Sequence, residues 1–83
     1  MPVTVTMRYW AGARAEAGIA SEEFEADSVE DALTMACSAH AGLATILGRC
    51  SVLVEGRQVP PAQRSVALSG PTTVEVLPPF AGG

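Results

Sequence analysis

The chain has 83 residues, long enough for one domain and too short for two. A hydrophobic fraction of 48% with 17% charged residues fits a folded core and argues against disorder. The net charge is −4, the five cations (Arg8, Arg14, Arg49, Arg57, Arg64) are scattered, and there is no Lys. Nucleic-acid binding, which needs a basic patch, is therefore not expected. No apolar run approaches the ~18 residues of a membrane span, and no basic leader precedes an apolar block. A soluble, cytoplasmic protein is the expectation.

Residues 3–9, VTVTMRY, alternate strictly: Val3, Val5, Met7 and Tyr9 share one face, Thr4, Thr6 and Arg8 the other. That predicts a half-buried strand. AGARAEAG follows, with a composition that favours a short helix and Gly18 placed to end it. SEEFEA predicts a second strand, paired with the first as a hairpin, its three Glu forming a solvated face.

DSVEDALTMACSAHAG carries the clearest helical pattern. Ser28 is the N-cap, with Asp31 three residues on. Val29, Ala32, Leu33, Ala36 and Cys37 form one apolar stripe. Gly42 is expected to end the helix. His40 extends the stripe toward a C-terminus, where a cation is favoured, and reads as a structural residue. GLATILGRC predicts one further helical turn. SVLVEGRQVP predicts a strand, a turn at residues 55–57 and a short return strand closed by Pro60 and Pro61. After a turn at residues 69–71, the last strand has Val74 and Val76 on one face and Thr73, Glu75 and Leu77 on the other. The sum is an α+β domain over residues 1–77, a mixed sheet of four to five strands with a helix across one face.

Catalytic patterns are missing. The single His has no nucleophile or acid arranged around it, and no Gly-flanked Ser elbow or phosphate loop occurs. Cys37 and Cys50 are widely spaced and, with one His, do not make a zinc site. Cys37 reads as a small hydrophobe on a helix face, and Cys50 precedes a strand. No catalytic side chain, metal or bound cofactor is expected.

Residues 77–83, LPPFAGG, are different. They are uncharged, stiffened by Pro78 and Pro79, and end in two glycines. The expectation is a flexible C-terminal tail over 78–83, reaching about 20 Å when extended. A terminal α-carboxylate is ionised at neutral pH and is a poor electrophile until activated, for example by adenylation. Gly82 and Gly83 lack a Cβ, so a narrow channel of another protein can close around them. Phe80, flanked by Pro79 and Ala81, is a large apolar anchor for such a partner. The alternative is a frayed end that happens to be Gly-Gly.

With VTVTMRYWAGARAEAG, SVEDAL, VLVEG and above all VEVLPPFAGG, the chain resembles the MoaD/ThiS family of ubiquitin-like sulfur carriers, in particular the molybdopterin-synthase type. The resemblance implies a β-grasp fold. It implies that Gly83 is adenylated by an E1-like enzyme that uses ATP and magnesium, then converted to a thiocarboxylate with sulfur from a donor. It further implies insertion into the large subunit of molybdopterin synthase, as part of a heterotetramer, and sulfur transfer in molybdenum-cofactor biosynthesis. Gly82 would give steric access, and Pro79, Phe80 and Ala81 would contact the partner. A carrier for thiamin thiazole, cysteine or another thiolated metabolite, a ubiquitin-like protein modifier and an interaction module with an inert tail are the competing readings.

Overall fold

The alternating first strand forms as the sequence predicts. In the computed structural model, which describes residues 1–79, β1 runs Val3–Tyr9 and ends in helix α1, Ala11–Ala17. Then come β2 (Ser21–Ala26), α2 (Val29–Ala39), α3 (Ala41–Leu47), β3 (Ser51–Val54), β4 (Arg57–Gln58), a 3₁₀ turn at Pro61–Gln63 and β5 (Thr72–Leu77). The five strands lie in the order β2-β1-β5-β3-β4. The first and last strands are thus neighbours and parallel, with Val5 opposite Thr72 and Tyr9 opposite Val76, while the other pairs are antiparallel.

Strand periodicity places the core. Val5, Met7 and Tyr9 of β1, Val74 and Val76 of β5 and Val52 of β3 point to one face and are buried. Val29, Ala32, Leu33 and Ala36 of α2 and Leu43 of α3 are buried on the same core, with Cys37 packed at its edge. The small residues let the helix lie close on the sheet. The opposite sheet face carries Thr4, Thr6, Arg8, Thr73 and Glu75, none of them buried.

Local chemistry fixes the element ends. Ser28 Oγ accepts from the Asp31 backbone N–H at 3.1 Å, the N-cap read from sequence. The Glu30 N–H next to it donates to the Arg64 carbonyl at 2.8 Å, so the β4–β5 connection also caps α2. Gly18, at φ 74°, closes α1 and donates to the Arg14 carbonyl. Between β3 and β4, Glu55 (φ 50°) and Gly56 (φ 81°) both take the positive φ of a two-residue hairpin turn.

Two expectations need correction. Gly42 does not end α2; the helix stops at Ala39, and His40 is extended at φ −134°, ψ 94°. His40 donates its N–H to the Ala36 carbonyl, and its own carbonyl accepts from Leu43, so one residue closes α2 and opens α3. The segment after it is a seven-residue helix rather than a single turn, because Leu43, fully buried, and Ile46 give it a face to pack on the core.

Replacing Ser28 by Ala should cost about 1 kcal/mol in chemical denaturation, the usual value of an N-cap. Leu43→Ala, which removes a fully buried side chain, should cost about 2–5 kcal/mol in the same measurement.

Candidate functional site

The site is the end of the sheet where β5 leaves it. Leu77 still pairs with Ser51 at the start of β3. Pro78, assigned from sequence to the tail, is half-buried: its ring lies over Gly12 of α1, where an added Cβ would sit 3.8 Å from the Pro78 Cγ. Pro79 is exposed. Phe80, Ala81, Gly82 and Gly83, the other residues singled out from sequence, lie outside the described residues.

Trp10 braces this end. Its backbone N–H donates to the Val76 carbonyl at 3.2 Å, and its indole Nε1 donates to Glu75 Oε2 at 3.1 Å. The Arg8 guanidinium stacks over the indole, 5.1 Å from the ring centroid. The next residue, Ala11, turns the chain sharply into α1 with a left-handed φ of 49°, a conformation that costs an L-residue about 1–2 kcal/mol. Below Pro78 and Pro79 a groove of about 310 Å³ is lined by Gly12, Ala15, Glu16, Ile46 and Arg49. The exit is therefore a built, mainly apolar platform.

Neither cysteine resembles an activated thiol. Cys50 donates its thiol to the Ile46 carbonyl at 3.3 Å, closing the last turn of α3. Burial pushes its pKa up, against a smaller opposing effect of Arg49, and burial also raises that of Cys37. Both are free thiols. Among the described residues no three His, Cys, Asp or Glu side chains converge as a metal site would need.

One cluster escaped the sequence reading. Glu22 is not part of a solvated face. It stands opposite Met7 on the core side of the sheet and is one-fifth exposed. Its Oε2 accepts from the Tyr9 hydroxyl at 2.6 Å and contacts His40 Nε2 at 2.6 Å. The Tyr9 and His40 rings meet edge to face at 6.1 Å. Burial, and then the bond to Glu22, push the Tyr9 phenol well above its ordinary pKa. The cluster ties β1, β2 and the α2–α3 junction together. Its signal was parity: Glu22, Phe24 and Ala26 occupy alternate positions, and Ala26 is buried and Phe24 partly so. Glu23 and Glu25, on the other parity, are exposed as expected.

No family model and no curated protein sequence matches the chain. Solved structures do. The small archaeal modifier protein SAMP1 of Methanosarcina acetivorans matches at a TM-score of 0.87 and 18% identity, covering 100% of this chain and 99% of that one. A Pyrococcus furiosus protein assigned as molybdopterin converting factor, subunit 1, matches at 0.80 and 25% identity, with 94% and 99% covered. A complex of subunits 1 and 2 of the molybdopterin-converting factor from Helicobacter pylori matches at 0.74 and 17% identity, with 98% and 100% covered. The chain has the ubiquitin-like β-grasp fold. More narrowly, its five-stranded mixed sheet and helices are of the SAMP1 and MoaD type.

Glu22→Ala should cost about 1–3 kcal/mol, because it leaves the Tyr9 hydroxyl and the His40 ring without their acceptor. Tyr9, Cys37 and Cys50 all hold their protons more tightly folded than unfolded. As pH rises past about 8.5 for a thiol and about 10 for a phenol, the unfolded chain loses protons first. Stability is thus full below that range and falls with rising pH above it. Melting temperature measured from pH 7 to 11 should show this decline, and Tyr9→Phe should flatten its upper part.

Proposed function

We propose that this protein is a sulfur carrier whose C-terminal Gly83 is adenylated and then converted to a thiocarboxylate. In this reading it serves in the cytoplasm as the small subunit of molybdopterin synthase and adds no catalytic side chain of its own. The observation that carries it is the architecture of the exit. The central strand β5 runs straight into Pro78 and Pro79, the first packed on Gly12 and the second exposed. The chain is also coextensive with the Pyrococcus furiosus subunit 1 protein.

The chemistry follows from the terminus. A carboxylate resists nucleophiles. A partner that spends ATP with magnesium forms an acyl adenylate there, and a sulfur donor displaces AMP to leave a thiocarboxylate. Residues 78–83 would enter the partner's active site, with Gly82 and Gly83 in its narrow part. Phe80, between Pro79 and Ala81, would anchor the tail outside it. The subunit 1 and subunit 2 complex from Helicobacter pylori supports a large-subunit partner of the same kind. The match to SAMP1, at a TM-score of 0.87, favours a second reading, in which Gly83 is joined to amines of other proteins.

Incubation with ATP, a sulfur source and a cognate activating enzyme, followed by intact mass, tests the proposal. A shift equal to one oxygen replaced by sulfur is expected; a ladder of conjugates in lysate would favour the modifier. Retention of a molybdopterin synthase large subunit would fix the pathway, and failure to retain it would point to another thiolated product. Deleting Gly83, or replacing Gly82 by Trp, should abolish thiolation and leave the melting temperature unchanged. Cys37→Ser and Cys50→Ser should still be thiolated; loss of loading in a folded Cys50 variant would place the sulfur chemistry elsewhere.

A further inference from the structure

The protein is acidic, with a net charge of −4, yet one of its clefts holds two cations and no acid. The cleft, about 160 Å³, lies between the end of β1, helix α1 and the start of β2, with Arg8, Trp10, Arg14, Ala20 and Ser21 on its walls. We propose that it binds a phosphate-sized dianion, either free phosphate or the head of a phosphate monoester, between the Arg8 and Arg14 guanidiniums. Binding there is independent of any reaction at the C-terminus.

The donors are uncommitted. Among the described residues the ion pairs join Met1 to Asp27 and His40 to Glu22, and the guanidinium that donates a hydrogen bond is that of Arg64, to the Val59 carbonyl. Arg8 and Arg14 are both exposed. Carboxylates do share the outer sheet face with Arg8. Glu75, opposite it on β5, is taken by the Trp10 indole N–H; Glu23 and Glu25 stand opposite Thr6 and Thr4, farther down β1. None of the three lines the cleft. Two like charges facing one small cleft repel, and an anion between them removes that cost.

The geometry suits a tetrahedral oxyanion. Arg8 stacks over the Trp10 ring, 5.1 Å from its centroid, a contact made through the flat of the guanidinium that leaves the N–H edge for an acceptor. Trp10 is itself fixed, by its backbone N–H on the Val76 carbonyl and its indole on Glu75. Arg8 therefore loses less freedom on binding than an unsupported side chain would. Arg14 comes from a separate element, α1, and the exposed Ser21, opposite Arg8, adds a hydroxyl on the β2 side. One guanidinium fork satisfies a carboxylate. Two forks and a hydroxyl match the three peripheral oxygens and the double charge of a phosphate monoester. The volume is well below the ~300–1,000 Å³ that encloses a drug-sized ligand, so the cleft takes the head group and leaves the rest of an ester outside.

Trp10 is the only tryptophan and lines the cleft, so its emission reports the site. The whole chain is titrated at pH 8 and constant ionic strength with inorganic phosphate and, separately, with methyl phosphate, while backbone amide shifts are followed by NMR. A saturable change in Trp10 emission, or in the amides of Arg8, Trp10, Arg14 and Ser21, is expected. Response to both ligands assigns the site to the shared head group; response to methyl phosphate alone assigns it to an ester, and to inorganic phosphate alone to the free ion. Arg14→Gln, which leaves the Arg8–Trp10 stack in place, should weaken binding about tenfold or more. Arg57→Gln, on β4, should not weaken it. No saturable change by either readout overturns the proposal. So does equal weakening by the two variants, which would mean diffuse attraction to surface charge. Acetate binding as tightly as phosphate overturns it too, since one guanidinium would then suffice.

Discussion

The parallel pairing of β1 with β5 is the constraint on which the rest of this protein depends. It joins the chain's first strand to its last described one, and its inward side chains, Val5, Met7, Tyr9, Val74 and Val76, are the middle of the core. Hydrogen bonding to β3 then extends the sheet on the other side of β5, so the central strand is paired along both edges. The helices complete the burial. Because β1 and β5 run the same way, their ends coincide, and Trp10 and Pro78 come to the same pole of the molecule. The exit platform is a direct result of strand direction.

The described residues hold no arranged nucleophile, base and orienting group, and the few reactive side chains are spent on structure. Cys50 closes α3, and Glu22 joins Tyr9 to His40. What the fold contributes at this end is position: a strand paired along both edges, followed by Pro78 packed on α1. Exposed Trp10, stacked beneath Arg8 and bonded to Glu75, stands at the same end of the sheet.

Much of the fold was legible in the residue order because local and global preferences agree. Alternation in residues 3–9 and 72–77, the Ser28 cap and the stripe from Val29 to Cys37 each point to the element that forms. The misreadings share one cause, a long-range partner. Nothing near His40 announces a helix break; the ring is held by Glu22, eighteen residues away, and the backbone turn there serves that contact and the seating of Leu43. Glu22 looked solvated because its neighbours are, although its parity with Phe24 already placed it inward. The exit was legible only in part. Pro79 is exposed, whereas the packing of Pro78 on Gly12 depends on where α1 lies against the sheet end. The tail's chemistry rests on residue order, with Phe80–Gly83 outside the described residues.

The placement of β5 has a consequence for biosynthesis. Chains emerge from the ribosome amino end first, so the other four strands and all three α-helices are made before the strand that must sit between β1 and β3. Until it is made, the backbone edges of β1 and β3 that pair with it have no partner strand there. A polypeptide terminated early lacks that strand and the segment beyond it together. Only a complete β5 therefore closes the sheet between β1 and β3.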